Sequence, residues 1–515
     1  MITRIETIAF EGIEIKSVDV QVHISDGLPC FNIVGLPDKT VGESRERLRS
    51  AFSAIGLSLP LKRIIVNLSP ADLIKEGSHF DLPIAIAILA NMGAIDIESI
   101  CDFVAVGEIA LDGIIKETNG VFAASIFANS KTKGLIFPYH QINEVKWLNN
   151  KIELLPVKSL MNVINYFKGN YIVNKNELIL EKNAIVTTKK YCDLSEIKGQ
   201  IIAKRALEVV ASGGHNLLMI GSPGSGKSML ASALVGILPS LTIEEAIEVS
   251  LIYSIAGKMQ NSSLIQERPF RSPHHSSSMA ALIGGGKKAV PGEITLANCG
   301  VLFLDELAEF PKNVLDSLRQ PIETGSVHIA RVNAHVEYPA KFQLIAAMNP
   351  CRCGYFNEID RQCSKAPFCA ETYQSKISGP MFDRIDICLE VPTIKASDLY
   401  QPVLGEKSEI VKNRVEKVRE IQYKRYLNYG IRLNSEASSQ ILEDTSNINK
   451  NAKNLLLKSM DKLSLSARAY YRILRVARTI ADMDSSLEIT EKHVAESVNY
   501  RKINYTDKLK KTISK

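Results

Sequence analysis

The sequence predicts a multidomain α/β protein with an N-terminal α+β domain, a central αβα domain on a parallel sheet, and a helical C-terminal domain. Three observations predict it. At 515 residues the chain exceeds what one compact core accommodates. Its texture changes along its length, which gives expected domains at 1–170, 193–400 and 401–515 with a polar linker at 171–192. Finally, "NLLMIGSPGSGKSMLASAL" sets a glycine-rich loop between an apolar run and a helix, the strand–loop–helix context of a phosphate-binding loop.

The elements follow in order. "MITRIETIAFEGIEI" alternates polar and apolar residues, so it reads as a first strand and not as a signal peptide. "SVDVQVHI" and "RIIVNLS" read as further strands, and "VGESRERLRSAFSAIG" as a helix. "DLPIAIAILANMGAI" is apolar on all sides but too short to span a bilayer, so a buried helix and no membrane partner are expected. Past the linker, apolar strands alternate with helices, the pattern of a parallel sheet. In "SARAYYRILRVARTIADM", Tyr471, Leu474, Ala477 and Ile480 share one helical face, and Arg472, Arg475 and Arg478 are expected on the surface or facing DNA.

Hydrophobic and charged contents of 45% and 23% are those of a soluble globular protein, expected in the cytoplasm where thiols stay reduced. The net charge of +6 is uneven: residues 405–515 hold 23 Lys/Arg against 14 Asp/Glu. Such a region attracts nucleic acid or is a solvated helical face.

The phosphate loop names its own chemistry. Gly221, Ser222, Pro223, Gly224, Ser225, Gly226, Lys227 and Ser228 fit G-x-x-x-x-G-K-[ST]. Glycines let backbone amides curl round phosphate oxygens, Lys227 reaches the outer phosphates of ATP, and the Ser228 hydroxyl ligates magnesium. "GVLFLDELAEF" supplies a buried strand ending in Asp305, which holds the magnesium, and Glu306, a base for the attacking water. Together they predict an ATP hydrolase.

Order and tips then resemble a known family. The Asn349-tipped strand "FQLIAAMNP" after the acidic strand resembles AAA+ ATPases, in which that Asn positions the water. "SGPMFDRIDICLEV" resembles the arginine-finger segment of the magnesium-chelatase and MCM-helicase branch, which implies that Arg384 reaches a neighbouring subunit's ATP; a structural pair with Asp383 or Asp386 is the alternative. "LSARAYYRILRVARTIADM" resembles the sensor 2 helix of that branch, with Arg468 as phosphate contact. "RPFRSPHH", "ALIGGGKKAVPGEITLANCGVLFLDELAEFP" and "AAMNPCRCGY" extend the likeness to the YifB/ComM-type magnesium-chelatase-like ATPases over essentially the whole chain. That resemblance implies a Lon-protease-like N-terminal domain, an AAA+ core and a helical lid. It implies a homo-oligomer, a hexamer, acting on branched or single-stranded DNA as a branch-migration helicase in recombination or natural transformation. The alternative is a chelatase-like or chaperone-like ATPase remodelling a protein partner.

Lys287, Lys288 and Arg331, in a glycine-rich insert and a hairpin, are candidates for DNA phosphate contacts or ordinary basic loops. His274 and His275 support the ATP site, a subunit contact or simple packing. Cys351, Cys353, Cys363 and Cys369, spaced C-x-C-x9-C-x5-C, form a cysteine-rich loop at 351–369. Four thiolates would close a structural zinc site; free thiols, an iron–sulfur cluster or a redox switch remain open. "KEGSHFDLPIAIAIL" and "VGEIALDGIIKETNGVFAAS" resemble the conserved parts of Lon-type proteases. Ser78 and Lys116 are displaced from the expected dyad, so that domain is expected to be proteolytically inactive.

Overall fold

The structure, a computed structural model, describes residues 2–148, 151–178, 191–259, 264–286, 289–331, 334–356, 366, 368–393, 405–463 and 465–501, without the side chains of 175, 176, 330, 331, 334 and 335. Backbone contacts divide it into two compact units. One is Met1–Thr188 with Thr242–Gln266 and Ala330–Glu337; the other is Lys189–Leu241 with Glu267–Ile329 and Tyr338–Lys515. The C-terminal helices thus group with the phosphate-loop region.

The first unit is built on strands β1 (Ile2–Glu11), β2 (Glu14–Ser25), β3 (Cys30–Val34), β4 (Arg63–Ser69), β5 (Phe103–Ala105), a small hairpin β6 (Glu108–Ile109) and β7 (Ile115–Lys116), then β8 (Gly134–Pro138) and β9 (Leu154–Val157). Its seven-stranded sheet runs β3-β4-β2-β1-β5-β8-β9. β1 and β2 pair antiparallel from Ile2↔His23 to Glu11↔Glu14, turning at Gly12, whose φ of 65° favours glycine. The apolar helix Asp81–Asn91 is buried from Asp81 through Ala90 and packs on β1 and β2. That burial explains why it shows no polar face. Part of the expected linker also belongs to this core, since Tyr171 and Val173 pack against it. Residues 179–190 lie outside the described residues.

The second unit carries β10 (Leu217–Ile220), β11 (Phe270–Arg271), a pair β12 (Gly284–Gly285) and β13 (Val290–Pro291), β14 (Val301–Leu304), β17 (Gln343–Met348) and β18 (Ile387–Glu390), while the pair β15 (Ser326–Arg331) and β16 (Ala334–Pro339) is divided, its Ala330–Glu337 stretch grouping with the first unit. The five-stranded sheet runs β11-β14-β17-β10-β18 and its ladders are all parallel. Every residue of β10, β14 and β17 is buried, as a sheet covered on both faces requires. The carboxyl ends share one edge, where ligands bind in open parallel sheets.

The expectation for the arginines of helix Ala467–Met483 is corrected here. Arg478 is 1% exposed and donates to Asp482 and to the carbonyls of Ser446, Ser486 and Leu487. Arg475 donates to the Ala437 carbonyl and Arg472 to Asp386. The helix is packed on more than its apolar face, and loop carbonyls supply acceptors that helical periodicity cannot register.

Candidate active site

β10 ends at Ile220, the loop turns, and Lys227–Ile237 forms the next helix. Gly224 and Gly226 hold φ of 76° and 89°, the left-handed region open to glycine. Gly221 is required for a different reason: a Cβ there would lie 2.3 Å from the Val391 carbonyl. Because Ile220 sits opposite Met348, Gly221 and Asn349 leave the sheet side by side.

Lys227 is 9% exposed, and its Nζ donates to the carbonyls of Gly221 (2.8 Å) and Ser222 (2.9 Å) and to Asn349 Oδ1 (3.3 Å). Burial lowers its pKa, while Asp305 and Glu306 pull the other way. A buried ammonium bonded to neutral acceptors is a site for an anion. Ser228 Oγ donates to Asp305 Oδ2 at 2.9 Å, which joins two hard oxygen donors across the edge. These residues fit a magnesium nucleotide: Lys227 and the loop amides for phosphates, Ser228 and Asp305 for the cation. Glu306 follows with φ of 51°, its N–H on Asp305 Oδ1 (2.9 Å), its Oε2 3.3 Å from His275 Nδ1. The edge thus gathers Lys227, Ser228, Asp305, Glu306 and Asn349.

Other expected residues lie elsewhere. Arg384 is 8% exposed; it donates to the Arg319 and Pro380 carbonyls and pairs with Glu323 at 2.6 Å. Arg468 is exposed in the first turn of its helix. Asp386, its neighbour in the finger segment, takes Arg472 NH1 at 2.6 Å and the Asn216 N–H at 2.9 Å. Burial opposes its charge, but Arg472, His215, the Asn216 N–H and Arg475 outweigh it and hold the carboxyl below the usual carboxylate range. Lys287, Lys288 and Cys363 lie outside the described residues, and the Arg331 side chain is not described. Cys351 Sγ and Cys353 Sγ are 3.1 Å apart, and Cys369 packs in the same small cluster as Cys351. Among the described residues no three His, Cys, Asp or Glu side chains form a metal-holding group.

In the first unit, Ser78 Oγ donates to the Glu108 carboxylate, Lys116 is exposed, and Phe122 is fully buried. Among the described residues no bond joins Ser78 to Lys116.

Sequence reading missed two contributors. Gln200 Nε2 donates to the Pro392 carbonyl at 2.7 Å and to the loop carbonyl of Ser225 at 3.5 Å. Its signal was the "IKGQ" before the helix. Gly354 lies on the phosphate loop, since a Cβ there would meet Pro223 Cδ at 2.5 Å, so the cysteine turn rests on the site. No local signal marks that contact.

The family described as "Magnesium chelatase, subunit ChlI" matches residues 193–399, "Subunit ChlI of Mg-chelatase" matches 20–141, and its C-terminal counterpart matches 405–501. The chain is 42% identical over 492 residues to a Competence protein ComM of Haemophilus influenzae, covering 95% of each. It is 41% identical to a YifB protein of Escherichia coli over 97% of each. The chain belongs to the YifB/ComM-type magnesium-chelatase-like family. A magnesium-chelatase 38 kDa subunit of Cereibacter sphaeroides shares 26% identity over 190 residues, 32% of this chain and 54% of that one. Membership in this ATPase family agrees with the Lys227–Asp305 edge. No helix among the described residues is long and apolar enough to cross a membrane.

Proposed function

We propose that this chain is a Mg-ATP-driven AAA+ ring motor that moves branched or single-stranded DNA, a branch-migration helicase working in the cytoplasm in recombination or natural transformation. The observation that carries this reading is the convergence of Lys227, Ser228, Asp305, Glu306 and Asn349 on one sheet edge, in a chain with a full-length competence-protein relative. Lys227 and the loop amides bind and orient the phosphates. Magnesium, when bound, offsets phosphate charge. Glu306 accepts the proton of the attacking water and Asn349 orients that water. Arg384, once released from Glu323, reaches the neighbouring site of a hexamer, and Arg468 on the helical lid contacts phosphate. Lys287, Lys288 and Arg331 hold the DNA backbone. The domain at 1–170 is a Lon-like scaffold without peptidase activity, joined by 171–192 to the core at 193–400 and the lid at 401–515. Zinc on Cys351, Cys353, Cys363 and Cys369 orders the loop, which metal analysis of wild type and Cys363→Ser tests.

The deciding experiment is ATP-driven movement of a synthetic four-way DNA junction, with Glu306→Gln as control. Wild type should move the junction while the variant only binds it. Mixing Arg384→Ala with Glu306→Gln subunits should restore hydrolysis; no recovery would sink the shared-site arrangement. A protein-remodelling motor is the second reading, favoured by the likeness to a chelatase subunit. It gains if ATP turnover ignores DNA and junctions stay put.

A further inference from the structure

We infer that His275 is a positioning residue for hydrolysis, holding one oxygen of Glu306 so that the other faces the attacking water. This rests on the ATP-hydrolysis reading above. The topology brings the two together. β11 and β14 pair in parallel, Phe270 opposite Val301 and Arg271 opposite Leu302. Both segments leave these strands at the same edge, His275 four residues after β11 and Glu306 two after β14.

Both partners are held. Arg271 anchors the His275 segment through bonds of 2.5 and 2.7 Å to Glu293. The His275 ring lies 4.0 Å from the His274 ring and meets Phe310 edge-on at 6.4 Å. His274 is itself fixed, its Nδ1 2.7 Å from Ser276 Oγ. On the other side Glu306 keeps a left-handed backbone, which a non-glycine residue holds only where its surroundings enforce it. The result is His275 Nδ1 at 3.3 Å from Glu306 Oε2, with the Glu306 side chain about half exposed to the edge. Lys227 and Tyr373 also feel the Glu306 charge, and Asp305 precedes it.

The chemistry follows from geometry. A half-exposed carboxylate without a partner samples several rotamers, few of which aim a lone pair at a water beside the phosphate. An Nδ1–H turned onto Oε2, 3.3 Å away, would remove most of that freedom and leave Oε1 to accept the proton.

The test is steady-state ATP hydrolysis by the full-length wild type, His275→Ala, His275→Asn and Glu306→Gln at neutral pH. ATP-analogue binding is measured in parallel. His275→Ala should lower kcat about 10-fold to 100-fold with KM for ATP within about 2-fold. His275→Asn, whose amide N–H can stand in for Nδ1–H, should recover most of the neutral-pH rate. An unchanged kcat in His275→Ala, a KM rising in step with the lost rate, or no recovery in His275→Asn would each overturn the inference while wild type still outpaces Glu306→Gln. If wild type and Glu306→Gln share the same background rate, the ATPase reading itself has failed, and this inference falls with it.

Discussion

Around the helix Asp81–Asn91 in the first unit, charged groups close on one another. Arg47 Nε meets Asp81 Oδ2 at 2.7 Å, Ser44 donates to the same carboxylate, and Ser78 is taken by Glu108. At the carboxyl edge of the second unit the bonding is incomplete: Lys227 is buried among neutral acceptors, and Glu306 is half exposed beside His275. Both units put α/β scaffolding behind polar side chains. They differ in whether those side chains retain unmet bonding capacity at an accessible edge, and this difference decides where chemistry can occur. Magnesium-chelatase family models match parts of both units, and among the described residues it is the edge of the second that keeps its geometry open.

Lys227→Ala is the strongest way to break the contrast. Without the buried ammonium, the edge loses its anion demand, and kcat/KM for ATP should fall by about 10³-fold or more. Nucleotide-analogue binding should vanish in parallel. If binding survives, the open-edge account of the second unit is wrong.

Two buried carboxylates sharpen the contrast through pH, and they carry opposite signs. Asp386 ties Asn216 at the start of β10 to Arg472 in helix Ala467–Met483. Removing one partner of a buried pair costs about 3–5 kcal/mol, which Asp386→Ala should show in denaturant unfolding. Since its folded pKa lies below the ordinary 3.8, its contribution is complete above that value and lost as pH falls below it.

Glu144 in the first unit behaves inversely. Burial pushes its carboxyl from 4.5 up to about 7, although Gln141 and the Phe122 N–H favour the charged form. The native state therefore holds this proton more tightly than the unfolded chain does. Stability should fall as pH rises from 4.5 to about 7, by on the order of 3 kcal/mol. Glu144→Gln should flatten that slope. Hydrogen exchange in the helix Val121–Ser130 reads it within its own unit.

The sequence made local chemistry legible. The phosphate loop and the Asp305–Glu306 strand end each occupy a few consecutive residues, where spacing alone constrains function. The strands "RIIVNLS" and "SVDVQVHI" were readable from their apolar alternation, and the helix of "DLPIAIAILANMGAI" from an unbroken apolar run too short for a membrane. Contacts across long separations were not. Asp386 and Arg472 meet over 86 positions, and His275 meets Glu306 because β11 and β14 are neighbours in the sheet. Arg478 looked like a surface arginine because its acceptors are carbonyls of Ser446, Ser486 and Leu487, which no side-chain pattern announces.

The smallest expected effect is at Ser78, and it tests the comparison from the closed side. Ser78 is half-buried at the start of a short turn before helix Asp81–Asn91, with its hydroxyl committed to Glu108. Glu108 is also half-buried, so water can replace the lost donor, and Ser78→Ala should cost no more than about 1 kcal/mol. ATP turnover should stay within about 2-fold, because this hydroxyl bonds within its own unit, to Glu108. The serine of a Ser–Lys dyad needs the lysine bonded to it to draw off its proton, and here the hydroxyl is committed to Glu108 instead. Lys116 is exposed on β7 and makes no such bond among the described residues. Wild-type protein should therefore resist labelling by a fluorophosphonate probe and leave casein uncut. Labelling that disappears in Ser78→Ala would show an open site in the first unit, and the distinction between the two sheets would collapse.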